Sequence, residues 1–364
     1  MKKFLLIFTA IILGGTVLTA CGKENLKSEG ASTEDVSVAE STAEITTQAE
    51  SPAPKIAKNP LTGEENFNEN AVGKRPVAVM VNNNSQSLPQ YGIASAEIIY
   101  EMPVEGGITR LMAVYSDYTK IPDVCSIRSC RYYFPQIANG MDAIYLHWGL
   151  DKSIAADTLE RLKITHFDGG LVGKPLFERD AERQKSYAPE HTAVLRGSKL
   201  PDFLAANKVR VDLAENAPKS AFNFNDLGAE ILPQGVSCNT AILRFSKTYF
   251  STFSYDTATG LYAKQHSGKP HTDGVSGKQL AFKNVVVLKT TTSIRNEKSG
   301  LLNVDLVGGK GSYISGGFAE EITWEKADDS SPIVLKKADG TPLSINSGKT
   351  FVGIIDEKKA VEIQ

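Results

Sequence analysis

No aromatic residue stands between Phe8 and Phe67, and this gap limits where a folded body can begin. From Gly22 to about Lys58 the chain runs mainly in Ser, Thr, Ala and Glu, with Pro52 and Pro54. Such a segment buries too little apolar surface to offset the entropy of ordering it. Residues 21–58 are therefore expected to form a disordered tether. The roughly 300 residues that follow are enough for two domains with their own cores.

Ahead of the tether, Lys2 and Lys3 precede an apolar run from Phe4 to Leu18. The run is too short to span a bilayer as a helix and reads as a cleaved secretory signal over residues 1–20. Leu18-Thr19-Ala20-Cys21 forms a lipobox, which makes Cys21 the expected site of lipidation, with a palmitate-type anchor. Each buried methylene of such an anchor contributes roughly 0.8 kcal/mol. The expected location is the cell membrane, lipid-anchored and facing outside the cytoplasm. The net charge of −2, with no basic patch interleaved with aromatics, argues against nucleic acid as a partner.

Two regions of different character follow. Over 59–218, candidate strands at Val77–Val81, Ala96–Met102, Thr109–Asp117 and Asp142–Trp148 alternate with candidate helices. The helices are about Ile127–Ala138, Ser153–Leu162 and Leu200–Ala206. This alternation predicts an α/β or α+β domain. Over 219–364 the pattern becomes short strands: Ala241–Tyr255, Leu261–His266, Val285–Thr292, Leu302–Val307, Phe318–Trp324, Ile333–Lys336 and Phe351–Ile355. Turn signals separate them, among them Gly308-Gly309 and Asp339-Gly340, and a mainly antiparallel β domain is expected.

Charged residues in the first region sit at the ends of these elements, where α/β folds place sites. Arg128 and Arg131 are three apart at the start of an expected helix and can share one face. Arginine near a helix N-terminus is electrostatically unfavourable. An anion resolves the conflict, either a ligand or a carboxylate of the chain such as Glu101, Asp142 or Asp180. A glycosidase-like reading needs two carboxyls, with Glu101, Glu105, Asp142 and Asp180 as candidates. Cys130 lies between Arg128 and Arg131, which could lower its pKa. For Cys125, Cys130 and Cys238, a disulfide or buried free thiols is the simpler reading. His147, His166 and His191 lack metal-site spacing, and His266 and His271 are expected to be solvated in a polar hairpin. No metal or cofactor is expected.

Several segments resemble the YerB family of bacterial lipoproteins, found mainly in Firmicutes. They include Asn59-Pro60-Leu61-Thr62-Gly63, Arg75-Pro76-Val77-Ala78-Val79-Met80-Val81-Asn82-Asn83 and Glu105-Gly106-Gly107-Ile108-Thr109-Arg110. Others are Ile127-Arg128-Ser129-Cys130-Arg131, Phe177-Glu178-Arg179-Asp180, Phe253-Ser254-Tyr255-Asp256 and Gly309-Lys310-Gly311-Ser312-Tyr313. The resemblance implies an N-terminal and a distinct C-terminal domain of unassigned function on a lipoprotein anchor. It carries no settled activity. The chain departs from the family at Tyr132, where Asp is usual, and at Glu190-His191-Thr192, where Pro189 is usually followed by His-Asn.

The residues together point to a polar pocket in the first domain, built from Arg110, Arg128, Arg131, Arg179, Glu101, His147 and His191. Its expected ligand is an anionic or glycan-like envelope polymer, with peptidoglycan the specific case. Two rivals follow: a wall-active hydrolase or lyase with Glu101 or Asp180 as general acid, and a scaffold that docks another envelope protein through a strand edge.

Overall fold

A computed structural model describes residues 57–65 and 67–364. The expected signal, Cys21 and the tether up to residue 56 lie outside the described residues. Among the described residues no helix is long and apolar enough to cross a membrane.

The first long apolar run, β1 (Val77–Asn82), is buried at all six positions, as befits a strand covered on both faces. It lies between β3 (Thr109–Tyr115), antiparallel, and β4 (Ile144–His147), parallel. β2 (Ile98–Pro103) pairs with β3, and β5 (His166–Asp168) extends the edge beyond β4. Two helices, α1 (Tyr133–Gly140) and α2 (Ile154–Arg161), cover one face through Phe134, Ile137, Ala155 and Leu159. On the other face lie α3 (Leu200–Ala206) and the short strands β6 (Phe177–Arg179) and β7 (Ala193–Leu195).

The second region adds two kinds of strand. β8 (Thr240–Arg244), β9 (Phe250–Asp256) and β10 (Leu261–His266) form an antiparallel meander. Its inner residues Leu243, Phe253 and Tyr262 share a core with Val79, Ile99 and Leu111. β11 (Asn284–Thr290), β12 (Gly308–Ser315) and β13 (Phe318–Glu325) join the main sheet instead. The link is β14 (Thr350–Asp356), which runs parallel to β11 on one side and to β2 on the other. The eleven-stranded sheet therefore contains strands of both regions, and the described residues belong to one compact unit. The expected class holds: mixed sheet and helices first, mainly antiparallel strands after.

Three local expectations change. Helix α1 starts at Tyr133 rather than Ile127, because the carbonyls of Arg128 and Cys130 accept from the amides of Trp148 and Asp151, at 3.1 and 3.4 Å, rather than from amides one turn on. These acceptors are thereby lost to a helix. The stretch Ala241–Tyr255 is a hairpin rather than one strand, turning where the Tyr249 amide bonds Ser246 Oγ at 3.1 Å. Gly308-Gly309 opens strand β12 rather than turning the chain. A Cβ on Gly309 or Gly311 would lie 2.4 Å from the carbonyl oxygen of Lys289 or Val287, so glycine here serves close strand approach.

Candidate functional site

Alternation along β2 and β3 decides which charges can meet. Arg110 lies opposite Met102, and Glu101 opposite Leu111. Met102 packs in one core and Leu111 in the other. The sheet thus separates Glu101 from the arginines. Their carboxylate is Glu105, carried on a tight turn whose Gly106 and Gly107 have φ of 75° and 70°, the left-handed region that glycine enters without strain. Glu105 accepts from Arg110 at 3.1 Å and from Arg131 Nε at 2.9 Å, with a second, very short contact to Arg131. Arg110 also donates to the Ser129 carbonyl at 2.8 Å. Burial and the neighbouring Arg131 charge lower Arg110 to about 10. The repulsion expected near the helix start is resolved inside the chain, by a carboxylate outside the expected trio. Asp142 is occupied elsewhere, 2.6 Å from Arg210 and 3.3 Å from Arg75.

Arg128 and Arg179 are arranged differently. Among the described residues neither lies within 4.0 Å of a carboxylate. Arg128 reaches the Glu190 carbonyl at 3.5 Å, and Arg179 donates to the Pro189 carbonyl. Arg179 also sits 4.5 Å from the centre of the Trp148 ring, a cation–π distance. Trp148 is half-buried against the turn after β5. A Cβ on Gly169 would lie 2.7 Å from its ring, and Asp168 holds this turn through the Gly149 and Gly170 amides at 2.8 Å each. His191 completes the group, buried on a one-turn 3-10 helix, Pro189–His191, with Nδ1 2.9 Å from Asn82 Nδ2. Burial lowers its pKa. The short helix is anchored by a residue whose role was not read from the sequence. Buried Arg183 donates to the carbonyls of Ser87, Pro89 and His191 at 2.6, 2.8 and 2.9 Å, with Tyr187 stacked at 4.0 Å.

The remaining candidates are engaged in holding structure. His147 is fully buried between the Gly149 carbonyl and His166, at 2.9 and 3.0 Å, and burial pushes it down to about 4. Asp180 caps the Arg183 amide at 2.9 Å and faces Arg196 at 3.8 Å. Cys125, Cys130 and Cys238 are buried free thiols, pushed up by burial to about 12, 12 and 11, so the flanking arginines do not create a thiolate at Cys130. Tyr132 uses its hydroxyl on both backbone groups of Val304, at 2.9 and 3.1 Å. Among the described residues no three His, Cys, Asp or Glu side chains are grouped to hold a metal.

Glu101 belongs to a second constellation, at the seam of the two regions. One oxygen accepts from Asn83 at 3.1 Å and Thr109 at 2.8 Å. The other accepts from Ser251 at 2.8 Å and Lys264 at 3.3 Å. Burial alone would raise this carboxyl, but Lys264 and the other donors outweigh it and hold it below its ordinary value. It is 1% exposed and saturated with donors. Lys264 continues to His271 Nδ1 at 3.1 Å, and His271 Nε2 to Gln90 Oε1 at 2.9 Å. His266 packs beside them with neither ring nitrogen paired. His266 and His271 are thus buried, not solvated. Alternation along β10 carries the signal: Tyr262, Lys264 and His266 fall on one face, and Tyr262 must face inward.

Two models of one family match the chain. The N-terminal domain of "Protein of unknown function (DUF3048)" covers residues 61–210, and its C-terminal domain covers 241–352. The chain belongs to the DUF3048 family. Both the arginine group and most of the Glu101 seam lie within the DUF3048 segments. A relative of this DUF3048 chain is YerB of Bacillus subtilis (strain 168), whose name describes it as an inferred lipoprotein. It is 27% identical over 317 residues, 85% of this chain and 89% of the relative. The crystal structure of Bacillus subtilis YerB superposes with a TM-score of 0.72 at 27% identity. It covers 84% of this chain and 99% of that one.

Proposed function

We propose that this chain is an envelope lipoprotein, anchored through lipid on Cys21 and facing outside the cytoplasm, that binds an anionic, glycan-like wall polymer. Peptidoglycan is the specific ligand. The observation that carries the reading is the pair Arg128 and Arg179. Each is a guanidinium without a carboxylate partner among the described residues, and that of Arg179 lies over the half-buried Trp148 ring. An arginine held only by backbone carbonyls keeps its net charge for an oxyanion. The Trp148 ring steadies the Arg179 guanidinium through a cation–π contact. Binding is favoured over cleavage, because Glu101 and Asp180 are both committed to internal donors. The likeness to a protein named as a lipoprotein supports the anchor.

Two measurements test this. The Cys21→Ser protein is expected to leave the detergent phase on phase partitioning. Retention there rejects lipidation at Cys21. The same soluble variant, mixed with purified peptidoglycan, is expected to sediment with it. Adding Arg128→Ala or Arg179→Ala should weaken that association about tenfold, as loss of one charge-assisted contact implies, with little change in melting temperature. Equal sedimentation of all three proteins removes the arginine group from the function.

A further inference from the structure

We infer that Asn82 is a positioning residue that locks His191 in the tautomer carrying its proton on Nε2, making this imidazole a neutral hydrogen-bond donor to an anionic oxygen. The role of the donor rests on the binding reading above, whereas the tautomer does not.

The assignment follows from donors that have no choice. The backbone amide of Asn84 can only donate, and it points at Asn82 Oδ1 at 3.0 Å. The oxygen end of the Asn82 amide is thereby fixed, and its NH2 end faces His191 Nδ1 at 2.9 Å. An amide NH2 has hydrogens and no acceptor lone pair to offer. His191 Nδ1 must therefore accept, and the proton of the neutral ring resides on Nε2. The same logic runs inward from the Asn82 carbonyl. Gln90 Nε2 donates to that carbonyl at 2.9 Å and to Asn83 Oδ1 at 3.1 Å. Gln90 Oε1 is left to accept from His271 Nε2, so His271 Nδ1 accepts from Lys264. Every amide and ring along this path has one consistent assignment.

At the outer end, His191 Nε2 has no protein partner among the described residues. The residues on its own short helix are held by Arg179 at the Pro189 carbonyl and by Arg128 at the Glu190 carbonyl. The group therefore offers two guanidinium ions and one neutral N–H. A ligand oxygen here must accept. A hydroxyl, carboxylate or phosphate oxygen satisfies that, whereas an ammonium group does not.

The test begins without a ligand. In the Cys21→Ser protein with 15N-labelled histidine at neutral pH, His191 Nδ1 is expected at an unprotonated, pyridine-type shift and Nε2 at a protonated, pyrrole-type shift. Asn82→Asp should move the proton to Nδ1, where a carboxylate can accept it. A proton on Nδ1 of the unsubstituted residue overturns the inference, whatever the wall binding. In peptidoglycan sedimentation, His191→Gln is expected to keep a donor and bind nearly as well, and His191→Leu to bind about tenfold less tightly. Full binding by His191→Leu overturns the donor role. If the protein with native His191 ignores peptidoglycan yet carries its proton on Nε2, the binding reading and the donor role fall, and the positioning by Asn82 stands.

Discussion

Replacing Lys264 with Met is expected to destabilise the protein by about 3–5 kcal/mol, the cost of leaving a buried carboxylate without its counter-charge. In a body of this size that lowers the melting temperature by on the order of 10 °C. Lys264 is 0% exposed and Glu101 1%, so water cannot take the place of the ammonium group. Three neutral donors, from Asn83, Thr109 and Ser251, would remain on the carboxylate. They orient it without balancing its charge. His271 Nδ1 would lose its donor as well. The double variant Lys264→Met with Glu101→Gln is expected to be more stable than Lys264→Met alone, because the stranded charge is gone. Thermal melts of the two proteins decide the point. A single variant that melts within 1 °C of the parent (on the order of 0.3 kcal/mol) would show that the pair contributes no net stability.

Acidification is expected to act in the same direction, beginning in the range where histidines titrate. All five histidines of the chain are depressed in the folded protein, with burial the leading cause. A depressed histidine leaves the folded state binding fewer protons than the unfolded chain, whose histidines titrate near 6.5. Stability is therefore full above about pH 6.5 and falls as pH drops toward the folded values. His147 and His266 are each held at about 4, which implies a loss of about 2 kcal/mol apiece by pH 5. His266 has no hydrogen-bond partner to release when it charges, and the positive Lys264 opposes the change. Below about pH 4.5 the loss should steepen further, because the lowered Glu101 carboxyl contributes stability only while ionised. Urea midpoints measured from pH 7.5 to 4.5 should fall continuously. A midpoint unchanged between pH 7 and 5 would mean that these rings gain protons in place.

Much of the fold was legible because burial leaves a periodic trace. Val77–Val81 is apolar throughout and lies in a fully covered strand, and along Leu261–His266 half-buried and buried positions alternate. The site was less legible for geometric reasons. Spacing suggests that Arg128 and Arg131 share a helical face, yet the helix begins only at Tyr133 and the two side chains take different partners. Position at the ends of strands groups Glu101 with Arg110 in one pocket, whereas strand alternation puts them on opposite faces. Glu105 was weighed as a catalytic carboxyl because a local string does not reveal that two left-handed glycines fold it back over Arg110 and Arg131. The seam of Glu101, Lys264 and His271 joins positions more than 150 residues apart, a separation beyond the reach of any spacing rule.

The position of β14 bears on how the chain reaches its native state. Its Thr350 pairs with Ile98 on one side and Asn284 on the other. Until that late segment is present, β2 has an open edge of unpaired amides and carbonyls, and so does β11. Closing a parallel pair across some 250 residues is among the slower steps a chain can make. Synthesis from the N-terminus delivers this strand some 250 residues after β2. The first region must wait, incompletely paired, for most of the chain to emerge, and over that interval it is vulnerable to self-association.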